Sequence, residues 1–598
     1  MKFSVLALDY DGTIAVEGVL DPDVRTAIGE ARAHGIAVIL VTGRILSELR
    51  RVAGDLGFVD AVVAENGAVL AFPNGLSWPL GHPCPPAFLD ELRHRRIEFT
   101  AGQCVVEADA ASAPRILAVI RDLELPLALL FNRDRLMVLP QAISKGTGLH
   151  KALTALRLSV HNTIAIGDAE NDHDLLAGCE YAVAVGWGSQ TLQKIADEVL
   201  PGNGPGAVAA YIRSAERRIR LPADRRGRHR VNLGTMGDGH PLALAIRGRN
   251  ALVVGDPRSG KSWATGLYCE QLILDGYCVC VIDPEGDYGT LESLPGVMLF
   301  GGGHQPPRLD DLVRGLQHPD MSVVVDLSHV PHQEKVDYLY SLLPMLARLR
   351  RSTGLPHRIV VDEAHYFLHK PDAGRLLDLD LGAYTLVTYR LFDLNPDVRK
   401  AIETVIVTRT TDPDEVRAVV AMLGQGTNES EWKSILAELA NNEAVLLPGT
   451  EEAGKKLRQF TLLPRLTSHV HHRSKYVDVP MIEGQSFVFT DDGNPVGAPA
   501  RTLKEFVSSL ANCQPKVLDG HARRGDFSQW IENVVHDHFL ALVIRKVEQR
   551  YRLGLIHDIH QALARPIQTR YGITPEVSEK LALIKDGNAP VAGAVKPN

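Results

Sequence analysis

Short, fully apolar runs alternate with longer amphipathic stretches along most of this chain. FSVLALDYDG reads as a buried strand, DPDVRTAIGEARAHG as a helix and IAVILVTGR as a second strand. This is the rhythm of a parallel sheet with crossover helices. It holds over residues 1–212. An arginine-dense run at 213–230, RSAERRIRLPADRRGRHR with Pro222 inside it, then interrupts the pattern. Such a run predicts a solvated linker or a fraying helix end, with a phosphate or neighbouring-domain contact as the alternative. The α/β rhythm resumes over 231–465 through NALVVGDPRSGKS, YCVCVIDPEGD, MSVVVDLSHV, HRIVVDEAH, AYTLVTYR and TVIVTRT. Residues 466–598 pass a short strand-pair pattern, SFVFTDDGNPVGA, and turn to helical periodicity carrying Trp530 and Phe539, which predicts a small packing module. The closing NAPVAGAVKPN predicts a frayed end.

With 598 residues the chain is too long for one core, so the prediction is an α/β multidomain protein. Its 45% hydrophobic and 23% charged residues are ordinary for a globular chain. A net charge of −8 supplies no general attraction for nucleic acid. No apolar run reaches the roughly 18 residues of a spanning helix, and an aspartate-rich motif begins by residue 9. The expectation is therefore a cytoplasmic protein with no membrane partner. Cys278 and Cys280 alternate within an apolar run, which predicts burial in a strand rather than a bridge or a metal site.

Chemistry enters at the strand ends. Asp9 and Asp11 sit where a buried strand gives way to a Gly-Thr turn, the edge of a parallel sheet at which sites form. One carboxylate of such a pair can attack phosphorus, while the other protonates the leaving oxygen and then activates water. Two neighbouring acids repel, so a divalent cation is expected. IAIGDAENDHDLL adds Asp168 and Asp172, completing an all-oxygen set suited to Mg²⁺. Thr42 in VTGR and Lys145 in ISKGTGL offer a hydroxyl and an ammonium for phosphoryl oxygens.

In this order, DYDGT, VTGR, SKG and GDAEND resemble the haloacid-dehalogenase (HAD) superfamily of Mg²⁺-dependent phosphatases. The resemblance implies a Rossmann-like core with Asp9 as nucleophile and Asp11 as acid/base. It implies that Thr42 and Lys145 bind phosphate. It also implies metal binding by Asp168, Asp9 and the Asp11 carbonyl, supported by Asp172 and Asn171. AVVAENGAVL, around Glu65, Asn66 and Gly67, is similar to the segment leading into the cap of the Cof-type branch. That implies a small α+β cap over about residues 70–142 and a small phosphorylated metabolite as substrate. Asn132 and Arg133 are candidates for facing the site, with a surface turn as the other reading.

GDPRSGKS, comprising Gly255, Asp256, Pro257, Arg258, Ser259, Gly260, Lys261 and Ser262, fits G-x-x-x-x-G-K-S between a strand-like run and a helical stretch. Backbone N–H groups of such a loop enclose phosphates, Lys261 adds a point charge and Ser262 offers a hydroxyl to Mg²⁺. Asp362 and Glu363, ending RIVVDEAH, could orient a magnesium ion and polarise the attacking water of ATP. With CVIDPEGDY and its Asp283 and Glu285, this region resembles the HerA/FtsK-type P-loop ATPases, which are homo-oligomeric ring motors. The resemblance implies a parallel-sheet NTPase domain, Thr388 as a polar sensor and Arg409 as a residue reaching a neighbouring subunit's ATP, a structural ion pair being the alternative. Departures are DPRS in place of a glycine-rich loop, Tyr389 where the family usually carries glutamine, and a phosphatase-like domain in place of a β-barrel. These put DNA translocation in doubt. Arg348, Arg350, Arg351 and Arg358 form the best basic cluster, which a complemented helix C-terminus explains equally well. His469, His471 and His472 lack a fourth ligand nearby and read as a polar linker. The sequence thus points to a bifunctional hydrolase. Its alternative is a HerA-like ring ATPase or DNA translocase, or a regulatory ATPase, in which the HAD domain is accessory or a scaffold.

Overall fold

The computed structural model describes residues 2–132, 134–215, 229–245, 248–422, 429–447, 458–467, 481, 485–491, 493–535, 537–571 and 573. Arg133, His469, His471, His472, the side chain of Phe539 and the closing segment lie outside the described residues. The chain divides into two compact units, Met1–Leu327 with Lys335–His469 and Ser328–Glu334 with Val470–Asn598.

The first unit holds two large sheets. One runs in the order Glu198–Leu200, Tyr181–Val185, Thr163–Gly167, Val5–Asp9, Ala37–Val41, Ala61–Ala64, Val69–Ala71, Ser77–Pro79. Its first six strands are parallel and the last two antiparallel. Val5–Asp9 is buried along its whole length because helices cover both faces, hence the uninterrupted apolar run. The predicted helix is Pro22–Ala33, capped by Asp21 with Pro at its start. Asp9 pairs in register with Val41, and Leu8 with Ile166, so the three strand ends bring Asp9, Thr42 and Asp168 to one edge. Strands Val69–Ala71 and Ser77–Pro79 extend this core sheet before the cap begins with the helix Pro86–His94. The cap sheet is antiparallel, in the order Leu127–Asn132, Arg135–Pro140, Val106–Asp109, Phe99–Ala101. Asn132 closes the hairpin opposite Arg135, which is the turn reading of that position.

The second sheet has 11 strands. Seven are parallel: Thr404–Val407, Ala251–Val254, Tyr384–Thr388, Arg358–Val361, Val279–Asp283, Ser322–Asp326 and Val297–Gly301. Four antiparallel strands extend the expected parallel sheet on one side, Glu443–Leu447, Arg458–Leu462, Arg230–Met236 and Pro241–Ala245. The expected linker is also shorter than 213–230. Arg213 lies in the last turn of the helix Pro205–Ala215, the helix-end reading, and pairs with Asp23 and Glu30, while Arg230 opens a strand. Opposite charges on the first helix recruit one arginine, and alternation starting at Val231 recruits the other. Cys278 and Cys280 are buried free thiols, and burial pushes the Cys280 thiol up to about 12.

The second unit packs the helices Leu503–Asn512, Pro515–Arg524, Asp526–Trp530 and Ile559–Tyr571 around Phe487, Phe489, Phe506 and Phe527. Trp530 closes this core, its indole N–H donating to the Gln485 carbonyl at 2.9 Å. The strand-pair pattern is a short hairpin, Thr490–Asp491 against Asn494–Pro495. Among the described residues no helix is long and apolar enough to cross a membrane.

Candidate active site

Asp9 ends the central strand of the first sheet with its side chain buried, because the strand runs on to the turn without reaching solvent. Lys145 opens the helix Lys145–Leu156, whose Ser144 cap fixes the start. Its Nζ lies 2.6 Å from Asp9 Oδ1 and 2.6 Å from Asp172 Oδ1. Asp172 Oδ2 in turn accepts the main-chain N–H groups of Asp168 and Ala169 at 3.0 and 3.1 Å, which shapes the loop after Thr163–Gly167. Carboxylate oxygens of Asp9, Asp168 and Asp172 come within 4.8 Å of one another. Burial, then the like charges of Asp172 and Asp168, hold the Asp9 carboxyl well above the usual carboxylate range, with Lys145 pulling the other way. Burial alone would lower the Lys145 ammonium, but Asp172 and Asp9 outweigh it and raise its pKa.

Thr42 is buried beside Asp9, and its hydroxyl accepts the Arg44 main-chain N–H at 3.1 Å. Asp11 stands apart from the buried trio. Its carboxylate receives two bonds from the Arg44 guanidinium, at 2.6 and 2.7 Å. Arg44 is a site residue that the strand-end reading did not single out, although VTGR contains it. Glu65 accepts the main-chain N–H groups of Gln103 and Cys104 at 3.0 and 2.9 Å, pinning the core to the entrance of the cap. Gly67, at φ +102°, lets the Ser144 carbonyl approach so closely that a Cβ would lie 1.8 Å from it. Gly67→Ala is therefore expected to cost about 2 kcal/mol or more and to lower turnover by displacing the helix that presents Lys145. A urea midpoint and a kcat measured on the same sample check this.

The phosphate-loop motif has the predicted context: strand Ala251–Val254, loop, helix Lys261–Leu274. Gly260 adopts φ +98°, where a Cβ would meet the Asn441 carbonyl at 2.4 Å. Lys261 Nζ donates to the Asp256 carbonyl at 2.7 Å, and the Ser262 hydroxyl donates to Asp287 Oδ2 at 2.7 Å. Asp256 also accepts from Thr411, and its N–H donates to the Arg409 carbonyl at 2.9 Å. Arg409 thus flanks its own chain's loop through the main chain. Asp362 and Glu363 are buried at the end of Arg358–Val361, and Thr388 ends the neighbouring strand with His365 Nδ1 3.0 Å from its hydroxyl. Asp283 does not point into the loop; it caps the turn by accepting the N–H groups of Gly286, Asp287 and Tyr288. Asp287 and His365 were missed, since their partners, Ser262 in the phosphate-loop helix and Thr388 at a neighbouring strand end, lie elsewhere in the sequence.

A model of the haloacid dehalogenase-like hydrolases matches residues 6–77 and 94–212. These residues form a haloacid dehalogenase-like hydrolase domain. Over 227 residues it is 26% identical to a phosphoglycolate phosphatase of Methanosarcina mazei, covering 35% of this chain and 96% of that protein. Over 218 residues it is 28% identical to phosphoglycolate phosphatase 2 of Saccharolobus solfataricus, covering 34% of this chain and 89% of that protein. A solved haloacid dehalogenase-like hydrolase from B. subtilis superposes with a TM-score of 0.31 at 18% identity, covering 35% of this chain and 99% of that one.

The acidic trio of the hydrolase domain fits a hard dication. Three buried carboxylates face one ammonium, so negative charge is in excess. The Asn171 Oδ1 beside them is buried with no hydrogen-bond partner among the described residues. Carboxylate and amide oxygens are the donors that Mg²⁺ takes.

Proposed function

We propose that the chain is a bifunctional hydrolase. Its hydrolase domain is a Cof-type, Mg²⁺-dependent phosphatase for a small phosphomonoester, and its phosphate-loop region binds and hydrolyses ATP. The observation that carries the first part is the buried bridge of Lys145 between Asp9 and Asp172, beside Asp168. Asp9 Oδ attacks phosphorus, the ester P–O bond breaks, and Asp11 protonates the departing oxygen. Water then attacks the aspartyl-phosphate, giving its proton to Asp11, and Asp9 and inorganic phosphate are released. Thr42 and Lys145 hold the phosphoryl oxygens throughout. Asp9, Asp168 and the Asp11 carbonyl, with Asp172 and Asn171 in support, would hold a Mg²⁺, which would supply charge neutralisation. A carboxylate clasped by a guanidinium is acceptor-only, so Asp11 must leave Arg44 before it can carry a proton.

The similarity to phosphoglycolate phosphatases supports a short, anionic phosphomonoester as the substrate. Mg²⁺-dependent phosphate release from 2-phosphoglycolate, sugar phosphates, nucleotides and ATP tests this reading. Release from 2-phosphoglycolate or another small ester is expected, and no release from any ester refutes it.

For the second part, the loop from Gly255 to Ser262 would receive the ATP phosphates, with Asp362 and Ser262 toward the metal and Glu363 toward the attacking water. Lys261→Ala is expected to lower ATP hydrolysis by roughly 10²-fold or more with ester cleavage unchanged, as read from parallel phosphate-release assays. A homo-oligomeric ring, with Arg409 acting across its interface, belongs to this part and is read by sedimentation with and without ATP. Nucleic acid as the partner has less support. Arg350 is buried and donates to the Gly382 carbonyl at 2.6 Å, Arg358 is buried against Thr385 and Tyr268, and Arg351 pairs with Asp378. Three of the four cluster arginines are thus committed within the fold.

A further inference from the structure

His161 precedes the strand Thr163–Gly167 of the hydrolase core, and Glu180 precedes Tyr181–Val185; both are buried. His229 directly precedes Arg230–Met236, a strand of the second sheet. One ring nitrogen of each histidine and a carboxylate oxygen of Glu180 lie within 4.8 Å of one another. None of the three belongs to the acidic trio or to the phosphate loop.

The contacts of His161 assign the proton on its ring. His161 Nε2 lies 2.9 Å from the Asp275 carbonyl oxygen. A carbonyl only accepts, so Nε2 carries the proton. The other nitrogen, Nδ1, faces Glu180 Oε2 at 3.0 Å, and that oxygen already accepts the Tyr277 hydroxyl at 2.8 Å. In a neutral ring Nδ1 is a bare lone pair. Two acceptors at that distance need a proton or a metal ion between them. His229 Nε2 lies 3.1 Å from the Cys179 carbonyl oxygen. In His161 the far N–H is donated to a main-chain carbonyl and the near nitrogen is left for the ion, which is how metal-binding imidazoles are oriented. Tyr277, stacked on His161 with ring centroids 3.6 Å apart, holds the ring in place.

We propose that His161, Glu180 and His229 bind one transition-metal dication, Zn²⁺ being the ion that best suits the set. Two imidazoles and one carboxylate are borderline nitrogen and oxygen donors, which favour Zn²⁺ over Mg²⁺, and a water completes four-coordination. The ion ties two turns of the hydrolase core to the residue that opens a strand of the second sheet, and so joins the two sheets at their seam.

The test uses the full chain, stripped by a chelator and titrated with Zn²⁺, and separately with Co²⁺, in excess Mg²⁺. One equivalent is expected to bind, with the visible absorption of four-coordinate, nitrogen-bound Co²⁺. His161→Gln and His229→Gln are each expected to weaken binding by roughly 10²-fold, with far-ultraviolet circular dichroism confirming the fold. His229 is only half-buried, so its substitution disturbs packing least. In an Asp9→Asn/Asp168→Asn background the equivalent is retained, which separates this site from the acidic trio. No uptake by the wild type, or uptake undiminished in both histidine variants, overturns the proposal and leaves an imidazolium–carboxylate pair at the seam.

Discussion

Asp9→Asn lowers kcat/KM for phosphomonoester hydrolysis by roughly 10⁴-fold or more and leaves ATP hydrolysis untouched. The amide keeps the shape of the buried side chain and can still accept from Lys145, but it cannot form the acyl phosphate. The fold should not suffer. The Asp9 carboxyl is disfavoured by burial and by its like-charged neighbours Asp172 and Asp168, so neutralising it removes a repulsion. Initial rates with both substrates, alongside a urea midpoint equal to or above that of the wild type, distinguish loss of the nucleophile from loss of structure. Residual ester cleavage within tenfold of the wild type would assign the chemistry to another group.

The second large effect is on stability. Lys145→Met keeps the aliphatic stem and removes the cation that bridges Asp9 and Asp172. Breaking a buried ion pair from one side leaves uncompensated charge and costs about 3–5 kcal/mol. Ester turnover falls with it by roughly 10²–10³-fold, because a donor to the phosphoryl oxygens is gone. Added Mg²⁺ should restore part of the stability, since the carboxylates then regain a counter-charge. Denaturant titrations with and without Mg²⁺ read both effects. A loss below about 1 kcal/mol in the absence of Mg²⁺ would mean that the lysine is not the charge balancing the trio.

The hydrolase site was legible wherever chemistry sits at the end of an apolar run. Asp9, Thr42 and Asp168 follow strands that the hydrophobic pattern marks directly, and parallel pairing brings such ends together. Lys145 was legible because a Ser cap sets its helix. Contacts that depend on how loops fold back were not legible. Arg44 clasps Asp11 only because the turn after Ala37–Val41 aims it there, and Glu65 clamps Gln103 and Cys104 across the cap entrance. The antiparallel side of the second sheet was hidden for another reason. Arg230–Met236 pairs with Arg458–Leu462, and nothing local to either segment reveals a partner so far along the chain. The partners of Arg213 and Arg350, Asp23 and the Gly382 carbonyl, were likewise invisible before the elements were brought together.

The central claim is that phosphate passes through Asp9. Acid quenching during turnover of 2-phosphoglycolate, or of the small ester cleaved fastest, followed by peptide mass mapping, tests it most directly. The expected result is a phosphoryl group on the peptide containing Asp9, labile to hydroxylamine, dependent on Mg²⁺ and absent from Asp9→Asn. Phosphate release with no phosphorylated protein, or with the phosphoryl group on another residue, would contradict it.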